Sequence, residues 1–216
     1  MGKKPSRTIE EIRAAIAARL ATVRSWGLSL NDLEAMIAEN PHVYAPISGF
    51  LAEYKCRQLH LTTNAKISQV VRPSGYDKAQ KGDFSFLYKN EPIRLEIKSL
   101  DGPHVRHLEA DRWTGTFQCN ASDARTVTLP NCHKVHTNCI VSGGWDILAV
   151  NLYTFGNHWR FAFARQRDLP RASTMYKEED RPYLLASSMS ISLPLTAPYT
   201  SNLVALLDEI VRERGK

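Results

Sequence analysis

An α/β fold, a mixed sheet flanked by helices and preceded by a helical N-terminal extension, is predicted by three features of the sequence. Two adjacent runs, Asp83 to Tyr88 and Ile93 to Leu100, alternate apolar with polar residues, and Lys89, Asn90, Glu91 and Pro92 separate them as turn residues do. Two later runs, Trp145 to Tyr153 and Trp159 to Ala164, are apolar almost throughout, the pattern of central or near-central strands, with Gly156 and Asn157 turning one into the other. Around them, apolar residues recur at helical spacing in 9–26, 46–60 and 202–213.

The N-terminal extension is assigned to residues 1–45. A polar, basic tail leads into a helix over 9–26, whose apolar face is Ile12, Ile16, Leu20 and Val23, and Gly27 stops it. Ser29 or Asn31 caps a second helix through Leu33, Met36 and Ile37, which ends before Asn40 and Pro41. That helix carries Asp32, Glu34 and Glu39, so a helical buttress or dimer surface suits it better than a groove-reading role, because it repels phosphate. Residues 46–216 form the main domain. Its first helix, 46–60, offers Ile47, Phe50, Leu51, Tyr54 and Leu59 as a core face, with Glu53 among them. A short strand at 67–71 follows, then a basic segment that delivers the chain to Asp83.

The two alternating runs pair as a hairpin. Either turn, Asn90 and Glu91 alone or all four residues from Lys89 to Pro92, sets Asp83 opposite Lys98 and Ser85 opposite Glu96. Side chains alternate along a strand, so Glu96 and Lys98 share a face with Asp83, which lies diagonal to Glu96 at roughly 7 Å between Cβ atoms. Phe84, Phe86 and Tyr88 join Ile93, Leu95 and Ile97 on the opposite face and anchor the charged one to a core. Mg²⁺ takes oxygen ligands, keeps several waters and uses one or two carboxylates plus a substrate phosphate, so Asp83 and Glu96 suit it. Beside them, an ammonium at Lys98 orients or deprotonates an attacking water, or neutralises charge growing on a phosphate. Charges that interrupt an otherwise apolar strand need a purpose.

At these residues the sequence resembles the PD-(D/E)xK nuclease superfamily, on Asp83, twelve intervening residues, then Glu96-Ile97-Lys98. Gly82 stands where the name-giving proline would. The resemblance implies a restriction endonuclease-like core, with Asp83 and Glu96 as metal-binding carboxylates and Lys98 as the catalytic lysine. In that superfamily the helix before the hairpin often carries a glutamate that reaches the metal, and Glu53 is the residue that matches; the alternative is a surface glutamate. Asp77 is a weaker competitor for the first carboxylate.

Downstream, Arg106, His107 and Arg112 in HVRHLEADRW face either a phosphate backbone or, as a helix face, solvent. TGTFQC reads as a strand, leaving Gln118, Asn120, Asp123 and Arg125 in a polar segment. RTVTLPNCHKVHTNCIV reads as a second hairpin around Pro130 and Asn131, basic at Arg125 and Lys134, which enters a DNA groove or extends the sheet. Cys132, His133, His136 and Cys139 are not expected to bind zinc, because strand alternation divides them between two faces and no second donor pair closes a tetrahedron. Asp146 is read as a strand-end hydrogen bonder. Arg165, Arg167 and Arg171 are the densest arginine cluster and the expected backbone or guanine contacts outside the hairpin. Ser201 is positioned to cap the last helix, whose apolar face is Leu203, Leu206, Leu207 and Ile210.

A chain of 216 residues suits one core with a helical appendage, and its 28 Lys plus Arg against 22 Asp plus Glu give +6, the balance of a protein that meets a polyanion. Four scattered cysteines and the absence of an apolar leader or membrane-length run make a reduced, cytoplasmic protein the expectation. The expected function is Mg²⁺-dependent hydrolysis of phosphodiester bonds in double-stranded DNA. A type II restriction endonuclease, acting as a homodimer on a symmetric duplex, is the first expectation. The alternatives are a repair or junction-resolving nuclease of the same fold, or a catalytically inactive DNA-binding module.

Overall fold

A computed structural model of the chain describes residues 25–73, 82–100, 102–173 and 175–215; the helix expected over 9–26, apart from its last two residues, and Asp77 lie outside the described residues. The chain divides into two compact units, Met1–Ile47 and Ser48–Lys216, and the boundary falls inside a helix. In the first unit, helix α1 (Leu30–Glu39) starts at Ser29. The Ser29 hydroxyl accepts from the Asp32 N–H while the Asp32 carboxylate accepts from the Ser29 N–H, so two orphan donors of the first turn are satisfied reciprocally.

Helix α2 (Tyr44–Cys56) runs into the second unit and continues as a π-helical turn, Arg57–Leu61. Among the described residues ten strands follow: β1 (Ile67–Val71), β2 (Phe84–Tyr88), β3 (Glu91–Ser99), β4 (Arg106–Glu109), β5 (Arg112–Gln118), β6 (Asn120–Thr128), β7 (Lys134–Cys139), β8 (Ile147–Asn151), β9 (Phe161–Arg165) and β10 (Ser188–Leu193). Helix α3 (Leu203–Arg214) closes the chain. The main sheet is mixed, in the order β1-β2-β3-β8-β9, with β3 and β8 parallel and every other pair antiparallel. A second sheet has the order β10-β5-β4, and β6 pairs with β7 alone.

Alternation along the strands divides the apolar residues into two layers. On one face, Phe84, Phe86, Leu95, Ile97, Ile147 and Phe163 pack with Ala52 and Cys56 of α2 and with Leu203, Leu206, Leu207 and Ile210 of α3. On the other, Leu148, Val150, Ala162 and Ala164 pack with Phe117 of β5 and with Met189 and Ile191 of β10. Helices therefore cover one face and a second sheet covers the other. A parallel pair needs a long crossover; here the link from β3 to β8 holds β4 to β7 and, among the described residues, no α-helix. No helix among the described residues is long and apolar enough to cross a membrane.

Four local expectations are corrected. The core face of α2 is Ala52 and Cys56, whereas Phe50 is 59% exposed and Leu51, Tyr54 and Leu59 are exposed with it. Small side chains one turn apart bring the helix close to the sheet, which leaves the bulky ones outside. HVRHLEADRW is not helical but the β4–β5 hairpin, turning at Ala110 with φ 44°. The cap of α3 is Asn202, whose side chain accepts from the Ala205 N–H, one residue beyond Ser201. Strand β9 is last in the sheet order yet wholly buried, because Phe163 bridges to Thr200 and α3 lies over it.

The arginines that follow β9 hold α3 to the sheet. Arg165, 7% exposed, donates to both carboxylate oxygens of Glu213, with Glu209 at 3.6 Å, and Arg167 donates to the same carboxylate at 2.7 Å twice. Arg171 donates to the Arg167 carbonyl at 3.0 Å. Those two guanidinium groups hold Glu213 well below the usual carboxylate range, at about 2. A depressed carboxylate pKa contributes stability above its unfolded value and loses it as pH falls through the folded one. Glu213→Gln is thus expected to lower the urea midpoint at pH 6, and the difference from wild type is expected to shrink as pH drops from about 4.5 towards 2. A difference that does not change over that window would show that the ion pairs are not what Glu213 contributes.

Candidate metal centre

The β2–β3 turn sets the site. Lys89 and Asn90 both have positive φ, 51° and 69°, which makes a tight two-residue turn closed by the pair Tyr88 and Glu91. Asn tolerates that region where Glu91 does not, so the turn lies one residue earlier than Asn90 and Glu91. Ser85 consequently faces Arg94, not Glu96, a slip of two from the expected register. An even slip leaves every side chain on its expected face. Continuing the ladder one step from Phe84 opposite Leu95 brings Asp83 opposite Glu96 rather than diagonal to it.

Just before Phe84 the chain lies against β3. Gly82 has φ +86°, and a Cβ there would stand 3.0 Å from the Leu95 carbonyl oxygen. Proline, locked near −65°, has no place at such a backbone, so the residue that the nuclease motif is named for is excluded by geometry. The Asp83 N–H then donates to the Leu95 carbonyl at 2.8 Å, and Asp83 Oδ2 accepts from the Ile97 N–H at 2.7 Å. Both bonds orient the carboxylate on the strand that carries Glu96 and Lys98.

Glu96 and Lys98 are joined at 2.6 Å, with side chains only 14% and 22% exposed. Glu53, on α2, is paired with Arg72 at 2.6 Å, and Arg72 lies over the Phe50 ring at 5.2 Å. Electrostatically the four expected residues form one group. Burial first, then the charges of Glu96 and Glu53, push Asp83 up to about 7, against the Ile97 hydrogen bond and Lys98, which pull it down. Burial raises Glu53 as well, opposed by Arg72 and assisted by Glu96. For Lys98, burial favours the neutral amine, but Glu96 and Asp83 outweigh it and hold the ammonium charged. Three carboxylates thus share two cations, Lys98 and Arg72, in surroundings that penalise the surplus negative charge.

A cavity of about 640 Å³ opens beside Glu96 and Lys98, lined by them and Gly82, by Asn120 and Arg125 of β6, and by Trp145 after β7. Arg125 has no ion-pair partner among the described residues. Arg72, Asn120 and Trp145 are site residues that no sequence spacing announced; Arg72 in particular is brought to Glu53 across β1. Two buried cysteines border the group. The Cys56 thiol is raised by burial and by Asp83, and the Cys119 thiol is pushed to about 11 by burial against the pull of Lys98. Neither is a thiolate near neutrality.

No family model, no curated protein and no solved structure matches the chain. The site therefore stands on its own geometry.

Of the remaining expected contacts, Arg106 is exposed on β4, and Arg112 pairs with Glu109 at 2.9 Å beside it. Lys134 lines a separate depression with His133, His136 and Tyr176. Arg165 and Arg167 are held by Glu213, and with Arg214 they line a depression of their own. Asp146 stands just before β8 as a strand-end hydrogen bonder: its Oδ2 accepts from the Arg94 N–H at 2.8 Å, and Arg214 pairs with Oδ1. Cys132 is exposed and Cys139 buried, so the Cys/His run does not converge. Among the described residues the His133, Glu179 and Asp180 donors alone bring three ligand atoms within 4.8 Å of one another. Asp180 there accepts from Asn131 at 2.9 Å and meets His133 Nδ1 at 2.9 Å, a clamp between the β6–β7 turn and a later loop.

The surplus charge has a measurable cost. A carboxyl group whose pKa is raised on folding contributes stability below its unfolded value, about 3.8, and loses it as pH rises through about 7. Asp83→Asn keeps an oxygen for the Ile97 N–H and removes the charge. It is expected to be more stable than wild type at pH 8 by on the order of 2 kcal/mol, with the gap closing by pH 4. Thermal unfolding across that range checks it. Saturating Mg²⁺ is expected to raise the wild-type midpoint at pH 8 and to leave Asp83→Asn nearly unchanged.

Proposed function

We propose that the chain is a Mg²⁺-dependent endonuclease that hydrolyses DNA phosphodiester bonds, on a core of the restriction endonuclease type. The observation that carries this reading is the under-neutralised cluster of Glu53, Asp83 and Glu96 beside Lys98, of which Glu96 and Lys98 line a cavity that also holds Arg125, an arginine with no ion-pair partner among the described residues. The donor chemistry fits the cation. All three acids offer hard oxygen ligands and only two cations answer them, and a site completed by waters and a substrate phosphate needs only one or two of the three. Asp83 and Glu96 would hold Mg²⁺, with Glu53 neutralised by Arg72 beside them. When bound, Mg²⁺ supplies Lewis-acid polarisation of a phosphoryl oxygen and a lowered pKa for its water.

The chain's own residues do the rest. Held as an ammonium by Glu96, Lys98 donates to an attacking water or to the non-bridging oxygens on which charge accumulates, and it does not act as a base in that state. Arg125 supplies a second cation at the cavity, where a phosphate beside the scissile one meets it. Cleavage of both strands of a duplex calls for two such centres, and so for a homodimer. A restriction role is preferred to a repair or junction-resolving one because a single compact catalytic unit carries the site.

Lys98→Ala is expected to lower plasmid cleavage in Mg²⁺ by about a thousandfold or more while DNA affinity stays within about tenfold, since contacts remote from the scissile phosphate dominate binding. Arg125→Ala is expected to weaken binding and to flatten its dependence on salt by about one unit of slope. Gel-based cleavage rates and affinities over a salt series read both. Normal cleavage by Lys98→Ala would remove the chemistry from this cluster.

A further inference from the structure

The cavity beside Glu96 and Lys98 has a character that phosphate binding alone does not require. A duplex is convex, and proteins read it with helices, ribbons or loops that enter its grooves. This feature is concave, and its volume of about 640 Å³ falls within the range of pockets that enclose small organic ligands. Its walls come from three places: Glu96 and Lys98 of β3, β6 from Asn120 through Arg125 and Val127 to Thr128, and the segment after β7 through Ile140, Val141 and Trp145. Val127, Ile140, Val141 and Trp145 give the lining apolar surface, and Asn120 and Arg125 give it polar groups.

The side chains of Asn120 and Arg125 make no hydrogen bond or ion pair among the described residues, whereas Arg72 is engaged by Glu53 and Arg165 by Glu213. A primary amide presents a paired donor and acceptor, the complement of a nucleobase edge. Apolar and aromatic walls suit the faces of a base, and a guanidinium suits its 5′-phosphate.

Resting on the nuclease reading above, we propose that this cavity takes one nucleotide out of the base stack next to the scissile phosphate, with Asn120 on the base edge, the Val127, Ile140 and Trp145 wall against the ring, and Arg125 on the phosphate. The substrate is then DNA in which one nucleotide is unpaired or flipped as it binds, and the pocket selects that base.

The test uses the four deoxynucleoside 5′-monophosphates and base-free deoxyribose 5-phosphate as probes, titrated calorimetrically into the full chain. At least one nucleotide is expected to bind ten times or more tightly than deoxyribose phosphate. Val127→Trp, which fills the apolar side, is expected to lose that advantage. Asn120→Ala, a smaller change that guards against misfolding in the first variant, is expected to narrow the spread among the four bases while deoxyribose phosphate binds as before. Equal binding of nucleotides and deoxyribose phosphate, or no binding by any of them at 10-millimolar order, overturns the proposal. Plasmid cleavage by the wild-type chain in Mg²⁺ separates the two readings. Cleavage without base-dependent nucleotide binding sinks the pocket alone, whereas base-dependent binding with no cleavage of any DNA sinks the nuclease and leaves the pocket standing.

Discussion

The hydrogen bond that Asp83 Oδ2 accepts from the Ile97 N–H fixes the geometry on which the site depends. It ties the residue before β2 to the middle of β3, one position from Glu96 and one from Lys98. The bond needs the chain to approach β3 closely, which Gly82 permits by adopting a positive φ against the Leu95 carbonyl. Without it the acid side chain has no reason to sit in surroundings that penalise its charge. With it, burial and two neighbouring carboxylates act on a group that cannot move away, and the result is an acid whose pKa lies near neutrality.

That arrangement is costly for the fold, and a perturbed acid of this kind is what marks the cluster as a candidate centre. Two cations answer three carboxylates, each in a different way. Lys98 belongs to the same strand face as Glu96 and comes with it. Arg72 reaches Glu53 from beyond β1 and lies on Phe50, so an exposed aromatic ring that contributes nothing to the core still orients a charge. The surrounding architecture supplies rigidity from both sides: α2 and α3 behind the sheet, the β10-β5-β4 sheet in front. The crossover that links the parallel strands β3 and β8 carries β6, and β6 carries Arg125 and Asn120 to the cavity. An insertion demanded by topology thereby builds the wall of the candidate substrate site.

Ion pairs in this molecule divide into two kinds. Arg165 and Arg167 close on Glu213 and fasten the last helix, and their carboxylate partner is pushed far below its ordinary range. Arg125 has no ion-pair partner among the described residues. Both kinds look alike as letters in a chain, and an arginine-rich run such as 165–171 draws attention that an isolated arginine on β6 does not. The density of like charge is a poor guide to what is free to bind, because density also attracts structural partners.

The sequence by itself determined what repeats within an element. Alternation put Asp83, Glu96 and Lys98 on one face, and that conclusion survived a register two residues from the expected one, because a strand repeats every two. Ser29, one of the two candidate caps, announced α1 for the same reason, as a cap acts over three residues. Only the tertiary structure decided what depends on distant partners: that Phe50, Leu51 and Tyr54 stay outside while Ala52 and Cys56 turn in, that HVRHLEADRW folds as a hairpin against β10, and that Arg165 belongs to Glu213 while Arg125 stays open to the cavity. Periodicity reports the direction of a side chain relative to its own backbone. What that side chain meets is set by chain segments tens of residues away, which local pattern does not encode.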